Sequence, residues 1–458
     1  MRKYFVLTCT AIVGLVFSTK VLKAQNPIIQ TMYTADPAPL VHKDTLFLYV
    51  GRDEAEAPKN HYLMREYRLF STTDMVNWTD QGAALRTSEV SWSVGDASAA
   101  QVIARNGKFY WYISTMNNTP GKGGVSIGVL VADNPAGPFT DPLGKALVTN
   151  DMTTQAKHSW DDLDPTVYVD DDGQAYLFWG NGMCYWAKLN PDMISLASPI
   201  HAIDAKDKNV FGPGFTEAPW VYKRNRLYYM HFASGFPESL HYATAKNIQG
   251  PWNYQGEVMP LEKGSNTNHP GLIDYKGYSY FFYHNDALRG GHSYARSVAV
   301  EQFNYLQDGK MPLLKMTDAG ITKPVGVLNP YERVEAETIA YAEGVHALDD
   351  KDRGIVIAGI HDNDYIKVRS VDFGKDGATK FYANASSRYH GGTIEIRLGK
   401  VDGELIGSLK MPYSGEWSNY VTKSTEVKKT TGVQDVYFVF KGGSPHELFR
   451  FDYWGFQH

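Results

Sequence analysis

Cysteine is scarce in this chain, and an excess of positive charge is missing. Only 2 of the 458 residues are cysteine, Cys9 and Cys184. Because Cys9 lies in an N-terminal segment that we expect to be removed, the mature chain keeps one thiol and can form no internal disulfide. Lys and Arg number 45 against 50 Asp and Glu, a formal net charge of -5. Without a basic field to attract phosphates, nucleic acid is not an expected partner.

The first 24 residues follow the order of a secretory signal peptide. Two basic residues at positions 2 and 3 precede an apolar run over 4–17, and Ala24 is the small residue of the expected cleavage site. A membrane anchor is the alternative, but a run of about 14 residues is shorter than the ~20 that span a bilayer. A lipidated Cys9 would leave almost no apolar stretch ahead of it. We therefore expect a signal peptide over 1–24 and an exported protein, periplasmic or secreted, with no membrane span after its removal.

Long helical periodicity is also missing, from residue 25 to about residue 320. In its place are short runs rich in Tyr, Phe, Val and Trp, bounded by Gly, Asn and Asp, which are typical of strands and hairpins. Five runs carry an aromatic residue at the same place: Phe47, Tyr110, Tyr176, Tyr228 and Tyr280. Successive spacings of 63, 66, 52 and 52 residues predict propeller blades of about four strands each. The chain is expected to be all-β, with a five-bladed β-propeller over 26–325.

Ahead of each aromatic, a polar residue opens a short strand. In chain order these residues are Asp36, Asp96, Asp164, Glu217 and His269. The innermost strand of every propeller blade lines the central channel, so residues at matching places should converge near the axis. The alternative is that they only start strands as turn residues, but five of them in register favour convergence. No role is assigned to Asp96.

Acids that converge on a channel repel one another, so at least one should keep its proton at neutral pH. A protonated carboxylic acid beside an ionised carboxylate is what glycoside hydrolysis needs, because the acid protonates the leaving oxygen and the base activates water. Aromatic side chains supply apolar faces for sugar rings, although most tryptophans are expected in the core. The aromatic candidates are Trp78, Trp92, Trp160, Trp179, Trp186, Trp220 and Phe236. Trp92 and Phe236 are selected as substrate contacts.

Four motifs at these positions resemble glycoside hydrolase family 43. They are residues 34–37 (TADP), 161–173 (DDLDPT through DDDG), 215–220 (FTEAPW) and 266–270 (NTNHP). The resemblance spans about residues 26–325 and implies a five-bladed propeller that inverts anomeric configuration and acts mostly on arabinose- and xylose-containing plant polysaccharides.

The same resemblance implies roles for three acids. Asp36 is expected to be the general base, Glu217 the general acid, and Asp164 the residue that tunes the pKa of the acid and holds it in place. The apolar residues after Glu217 favour its neutral form. Inversion requires the base and acid carboxyl groups to stand roughly 6.5–9.5 Å apart.

Arg296 and His269 are further candidates. Arg296 lies in residues 293–298 (SYARSV), which look like the family's fifth blade, and it could orient a carboxylate or donate to sugar hydroxyls. A surface position is the alternative. His269 resembles a channel histidine that helps several relatives hold calcium. Because calcium prefers oxygen ligands, a packed, hydrogen-bonded histidine is the alternative.

The pattern changes at a short connector around residues 322–330. Residues 331–458 alternate apolar and polar positions as in a β-sandwich (jelly-roll) domain. They resemble a family 6 carbohydrate-binding module, which often follows a family 43 domain. The resemblance implies a structural calcium on Glu335, Glu337 and Asp452, since three carboxylates suit that ion. Salt-bridged edge residues are the alternative.

The sugar cleft of this module departs from the family's usual aromatic pair and Asn. Trp417 matches one aromatic, but Gly359 stands where a Tyr is common and Arg450 where the Asn is usual. Losing one stacking face should weaken sugar binding by roughly 1–3 kcal/mol. We therefore expect a module that mainly packs on the propeller, with Trp417 as its sugar contact.

The sequence as a whole predicts an exported, inverting, exo-acting glycoside hydrolase. The leading expectation is an α-L-arabinofuranosidase that removes side chains from arabinoxylan or a related plant cell-wall polysaccharide, because the motifs look like those of arabinoxylan-active members. A β-xylosidase on xylo-oligosaccharides is the nearest alternative, and an endo-arabinanase is a further one. A non-catalytic sugar-binding propeller is the alternative from another class. Calcium is the expected cofactor, and no organic cofactor is expected.

Overall fold

The computed structural model describes residues 25–58, 60–262 and 264–458, so the predicted signal peptide lies outside the described residues. Strands dominate this part of the chain, as the missing helical periodicity predicts. Its helical segments are a 3₁₀ turn over Thr87–Glu89 and one α-helical turn over Lys208–Phe211. Among the described residues, none of the helices has the length and apolar composition to span a bilayer.

Five antiparallel sheets follow one another along the chain, and each is one blade of a propeller. The first contains β1 (Tyr33–His42), β2 (Thr45–Asp53), β3 (Glu66–Thr72) and β4 (Trp78–Arg86). The second contains β5 (Ser98–Arg105), β6 (Lys108–Asn117) and β7 (Gly124–Ala132). The third contains β8 (Thr166–Val169), β9 (Ala175–Trp179), β10 (Cys184–Leu189) and β11 (His201–Ile203). The fourth contains β12 (Glu217–Arg224), β13 (Leu227–Gly235), β14 (Glu238–Ala245) and β15 (Asn253–Met259). The fifth contains β16 (Gly271–Tyr275), β17 (Tyr278–Asn285) and β18 (Ser297–Phe303).

The blades close into a ring. The first strands of neighbouring blades contact one another, β1 with β5, β5 with β8 and β8 with β12, and β1 also contacts β16. The segment before β1 runs beside β18: the side chain of Asn26 donates to the carbonyl of Val300 at 3.2 Å and accepts from its N–H at 3.1 Å. The N–H of Ile28 donates to the carbonyl of Val298 at 2.9 Å. The start of the described chain therefore completes the last blade.

The repeated aromatic residues lie on the second strand of each blade, and the core is built around such strands. Between the first two blades, the ring of Trp111 lies 5.2 Å from that of Tyr49 and 5.1 Å from that of Tyr67. Tilted and edge-on aromatic pairs of this kind stabilise a core beyond the area that they bury. The spacing of the aromatic repeat in the sequence is therefore the spacing between the second strands of successive blades. The predicted all-β fold is confirmed.

The C-terminal part of the chain is a sandwich of two sheets. Its strands are β19 (Val334–Glu335), β20 (Thr338–Ile339), β21 (Tyr341–Glu343), β22 (His346–Asp350), β23 (Gly354–Ala358), β24 (Tyr365–Asp372), β25 (Ala378–Ser386), β26 (Gly392–Leu398), β27 (Glu404–Met411), β28 (Val421–Thr430), β29 (Val433–Lys441) and β30 (Arg450–Gln457). One sheet has the order β22-β23-β30-β25-β28, with β19 beside β30, and the other has the order β21-β24-β29-β26-β27. Phe438 of one sheet packs on Phe381 and Trp454 of the other, with ring centroids 5.5 and 4.9 Å apart.

The sandwich packs firmly against the first blade. Strand β20 pairs with β4 and thus adds a fifth strand to that blade. Arg68, which is 1% exposed, donates to both carboxylate oxygens of Asp80 at 2.8 and 3.0 Å and to Asp349 of the sandwich at 2.8 Å. On the other side, Asn77 and Arg369 exchange two hydrogen bonds of 2.8 Å. A buried cation and a shared sheet therefore fix the sandwich on the propeller.

Candidate active site

Each of the three predicted catalytic acids stands at a bend where an inner strand begins. Asp36 and Asp164 both precede a proline and have positive φ angles of 55° and 59°. Glu217 is followed by Ala218 with φ 60°, directly before Pro219. Such angles are uncommon outside glycine and often mark functional sites. In β1 and β12 the pairing register shifts at this point, so a β-bulge redirects the side chains.

The three acids line one cavity of about 470 Å³ at the channel, within the ~300–1,000 Å³ range of small-molecule sites. Of the five residues predicted to converge, the four acids line this cavity, whereas His269 lies behind them, 3.9 Å from Asp164. Asp96 also lines the cavity, and its Oδ1 accepts a 2.6 Å hydrogen bond from the N–H of Met64. Other lining residues are Tyr62, Trp160, Asn181, Phe236, Glu238, Thr267, Tyr294 and Arg296.

Asp36 is buried beside a cation. Its Oδ1 lies 3.2 Å from Nη1 of Arg296. Burial raises the pKa of the Asp36 carboxyl, the guanidinium of Arg296 lowers it, and the nearby Asp53 carboxylate raises it. The direct contact with Arg296 favours the ionised form of Asp36.

Arg296 is itself held by Asp53, a residue that the sequence analysis did not select. Nε and Nη2 of Arg296 donate to the two oxygens of Asp53, both at 2.9 Å, and the N–H of Arg296 donates to Oδ2 at 2.8 Å. The guanidinium also lies 4.6 Å above the ring of Tyr62. Arg296 is buried, so the surface alternative is wrong; its Nε and Nη2 are held by Asp53, and its Nη1 contacts the predicted base Asp36.

His284 fixes the backbone at Asp36. The N–H of Asp36 donates to Nδ1 of His284 at 3.2 Å, and Nε2 of the same ring donates to the carbonyl of Thr267 at 2.8 Å. These two bonds select the neutral imidazole that carries its proton on Nε2. Burial, and then the charge of Arg296, lower the pKa of His284 well below its ordinary value. The ring is therefore an uncharged support of the base.

Glu217 lies in a different environment, without a direct cation contact. Nδ2 of Asn181 donates to its Oε2 at 2.5 Å, and the carboxyl of Glu238 forms a hydrogen bond with it. Burial is the main cause that raises the pKa of Glu217, and the charge of Asp36 adds to it. The chain thus provides one carboxyl group paired with a guanidinium and one whose burial favours the protonated form, which is the unequal pair expected from the sequence.

Asp164 lies between the acid and His269. Its Oδ2 accepts a 3.0 Å hydrogen bond from the N–H of Ala218, the residue after Glu217, and lies 3.9 Å from Nδ1 of His269. Burial and the charge of Glu217 raise the pKa of Asp164 well above its ordinary value. Because Asp164 holds the backbone beside Glu217, it is placed to position the acid.

The aromatic contacts are partly corrected by the structure. Trp92 is 3% exposed and does not line the cavity, because its indole N–H donates to Asp141 at 3.0 Å and its ring packs against Gly128. Phe236, 69% exposed, does line the cavity. Trp160, 52% exposed, stacks on His158 and supplies the indole face at the cavity instead of Trp92.

Trp417 lies on the sandwich, edge-on to Tyr389 with ring centroids 5.9 Å apart. The guanidinium of Arg450 covers its ring at 4.4 Å. The residue that stands at the usual Asn position therefore occupies a stacking face of Trp417. Its role as a sugar contact stays a prediction.

The predicted calcium ligands are only partly suited to the ion. Asp452 lies 3.4 Å from Arg333 and 3.7 Å from Arg353, and Arg333 also pairs with Glu335 at 2.7 Å. Within the described residues, no group of three His, Cys, Asp or Glu side chains is arranged to hold a metal ion. One buried oxygen each of Glu337 and Asp452 accepts no hydrogen bond. Burial lowers the pKa of His269 to about 3, and its Nδ1 lies 3.9 Å from Asp164. Its part in holding calcium stays a prediction.

Some residues of the site have no signal in the aromatic repeat. Asp53, Asn181 and Glu238 come from the end of β2, the turn after β9 and the start of β14. The repeat relates only the polar residue that opens the innermost strand of each blade, and these three residues lie elsewhere in their blades. Thr267 lies inside the 266–270 motif and could have been found there.

Comparisons with known proteins agree with this geometry. Residues 24–311 match the family described as glycosyl hydrolases family 43, and residues 335–458 match carbohydrate binding module family 6. One similar protein is an arabinoxylan arabinofuranohydrolase of Paenibacillus polymyxa. It is 32% identical to this chain over 489 residues, and the alignment covers 94% of this chain and 74% of that protein.

Two solved structures extend the comparison. The crystal structure of a family 43 arabinoxylan arabinofuranohydrolase from Bacillus subtilis in complex with cellotetraose is 31% identical, with a TM-score of 0.82, and covers 95% of this chain and 98% of that one. A family 43 β-xylosidase/α-arabinofuranosidase from a compost microbial metagenome, in complex with xylotriose and in a calcium-free form, is 27% identical, with a TM-score of 0.56, and covers 63% of this chain and 97% of that one.

Proposed function

Because this chain belongs to glycosyl hydrolases family 43 and is a glycoside hydrolase, we propose that it is an inverting, exo-acting α-L-arabinofuranosidase that removes arabinose side chains from arabinoxylan or a related plant polysaccharide. The observation that carries the proposal is the unequal pair of acids on one cavity: Asp36 beside the guanidinium of Arg296, and Glu217 beside an amide and a second carboxyl group. The arabinoxylan arabinofuranohydrolases that resemble the whole chain support the choice of sugar.

In the proposed reaction, Glu217 gives its proton to the leaving glycosidic oxygen while Asp36 accepts a proton from the attacking water. The C–O bond to the polymer breaks, and a new C–O bond forms from the opposite face of the sugar. Arg296 orients Asp36 and, against the effect of burial, favours its ionised form, and Asp164 holds the backbone beside Glu217.

The shape of the cavity supports attack on a terminal sugar. Asp36 and Asp164 are buried at its base, whereas Phe236 and Trp160 are exposed at its rim. A terminal pentose reaches the acids from the channel mouth, and the rim aromatics are free to stack on neighbouring sugars of the polymer.

Product analysis by chromatography tests the proposal. Free arabinose from wheat arabinoxylan, without xylose, is the expected result, and Glu217→Gln should abolish it because an amide has no proton to give. Proton NMR of the first product should detect the β anomer, as inversion requires. Release of xylose from xylo-oligosaccharides alone would replace the proposal by a β-xylosidase, a candidate that the xylotriose-bound relative favours.

Two further proposals concern the protein in its setting. Export, to the periplasm or out of the cell, is proposed from residues 1–24 and is tested by N-terminal sequencing of the mature protein, which should begin at Gln25. Calcium is proposed for the sandwich, where one buried oxygen each of Glu337 and Asp452 accepts no hydrogen bond and the ion would compete with Arg353, 3.7 Å from the oxygen of Asp452. Elemental analysis of the protein purified without chelator should find about one calcium per chain, a stoichiometry that suits one such site.

A further inference from the structure

Glu238 is a buried acid beside the predicted general acid. It begins β14, is 1% exposed, and lines the same cavity as Glu217. Its N–H donates to the carbonyl of Asn266 at 3.0 Å, and its Oε2 accepts a 2.7 Å hydrogen bond from the N–H of Asn268. The backbone therefore holds Glu238 at two points, and its carboxyl group forms a hydrogen bond with Glu217.

A hydrogen bond between two carboxyl groups needs a proton between them, because ionised carboxylates only accept. Oε2 of Glu238 already accepts from Asn268, which leaves Oε1 to carry a proton. Burial, and then the charge of Glu217, raise the pKa of Glu238 well above its ordinary value. The same contact acts on Glu217 in the opposite sense and offsets part of the rise in its pKa that burial causes. Two buried carboxyl groups in contact do not both ionise, so when Glu217 gives up its proton, Glu238 keeps its own and becomes the donor.

We propose that Glu238 is a positioning residue that keeps its proton throughout the reaction and donates a hydrogen bond to the carboxylate that Glu217 becomes. The inference rests on the proposed function of Glu217 as the general acid. When the O–H bond of Glu217 breaks and its proton goes to the leaving oxygen, negative charge appears on Glu217 in a buried place. Glu238 and Asn181 then donate to that charge, and solvent water later returns a proton to Glu217.

This role predicts a dependence on the leaving group. A donor placed where charge develops stabilises the transition state more than the ground state. A sugar alcohol needs a full proton when it leaves, so charge on Glu217 is large. A 4-nitrophenolate leaves without much protonation, so charge on Glu217 is small. Loss of the donor should therefore slow the reaction of the polymer far more than that of the aryl glycoside.

Two substitutions of Glu238 distinguish the effect of its hydrogen-bond donor from the effect of its side-chain volume. In Glu238→Gln, the amide oxygen can accept from Asn268 and the NH₂ group can donate to Glu217, so the pattern of the protonated acid is kept. In Glu238→Leu, a similar volume remains without a donor. Glu404→Gln, at an exposed ion pair of the sandwich with Lys428, is the matched control.

Initial rates on arabinoxylan and on 4-nitrophenyl α-L-arabinofuranoside, measured from pH 4 to 9, test the inference. Glu238→Gln should stay within about 3-fold of the parent kcat/KM on both substrates. Glu238→Leu should lose about 10²-fold on arabinoxylan, as for other lost transition-state donors, but only about 3-fold on the aryl glycoside. Thermal unfolding of each variant should show that the fold is kept.

Two results would overturn the inference. Equal losses on both substrates in Glu238→Leu would assign Glu238 a purely structural role. A shift of the alkaline limb to lower pH in Glu238→Gln would mean that Glu238 is ionised and acts through its charge. If the parent protein hydrolyses only xylosides, the proposed arabinose specificity is wrong, but the inference about Glu238 still stands. The test then uses xylobiose and 4-nitrophenyl β-D-xylopyranoside as the two substrates.

Discussion

Replacing Asp53 by Asn should weaken the support of the base and change the pH dependence of the enzyme. Asp53 accepts three hydrogen bonds from Arg296, of 2.8, 2.9 and 2.9 Å, and both residues are buried. In the variant, the amide oxygen can still accept two of these bonds, but the NH₂ group faces Nη2 of Arg296. One charge-assisted bond is lost, and Asp36 is left as the neighbouring carboxylate for the buried guanidinium.

The magnitude follows from the contacts. Removing one partner of a buried ion pair costs about 3–5 kcal/mol, and the two retained bonds place this variant near the lower end, at about 3 kcal/mol. With an unfolding entropy of about 2.1 cal/mol/K per residue over the ~300 residues of the propeller, that corresponds to a fall in the thermal unfolding midpoint of about 5 °C. Asp133→Asn, at an exposed ion pair with Lys108, is the control, and its unfolding midpoint should hardly change.

The pH dependence should move in a defined direction. The charge of Asp53 raises the pKa of Asp36, and the guanidinium of Arg296 lowers it. In Asp53→Asn the negative charge that raises the pKa of Asp36 disappears, and Arg296 is no longer shared with a second carboxylate. The pKa of Asp36 therefore falls. The acid limb of kcat/KM should move to lower pH by about one unit, an interaction change of about 1.4 kcal/mol. A move to higher pH, or an unchanged unfolding midpoint, would refute the reasoning.

Three other predictions concern the interface, a buried acid and the rim of the cavity. Arg68→Met should destabilise the protein by about 3–5 kcal/mol, because Asp80 is left buried without its cation; thermal unfolding beside Lys108→Met as an exposed control measures this. Burial raises the pKa of Asp162 to about 7, so the stability that its neutral form provides is complete below its unfolded pKa and is lost as the pH rises through 7. The unfolding midpoint of the parent should therefore drop between about pH 4 and 8 more than that of Asp162→Asn, and parallel curves would contradict the assignment. Trp160→Ala should raise KM for arabinoxylan by about 10-fold, in line with the ~1–3 kcal/mol of a stacking face, and should leave KM for the small aryl glycoside unchanged; an equal rise on both would remove Trp160 from polymer binding.

The sequence by itself determined the architecture and the three converging acids. Strand composition and turns are local features, and the aromatic repeat is a packing period, so both can be read along the chain. Asp36 and Asp164 each precede a proline. The backbone bend at these acids is set by the local sequence, since the strained φ angle and the bulge arise within a few residues. For these residues, local order and blade symmetry are sufficient to predict a common place.

Only the tertiary structure decided how the acids are charged and held. Asp53 and Arg296 lie 243 positions apart, and no period relates them. Glu238 meets Glu217 because β14 and β12 flank the same strand, β13. Trp92 was predicted to contact substrate, but its indole N–H donates to Asp141 and its ring lies in the core, which the local sequence does not show. Burial and the nearest charge set the pKa of a carboxyl group, and both depend on which distant strands the closed ring brings together.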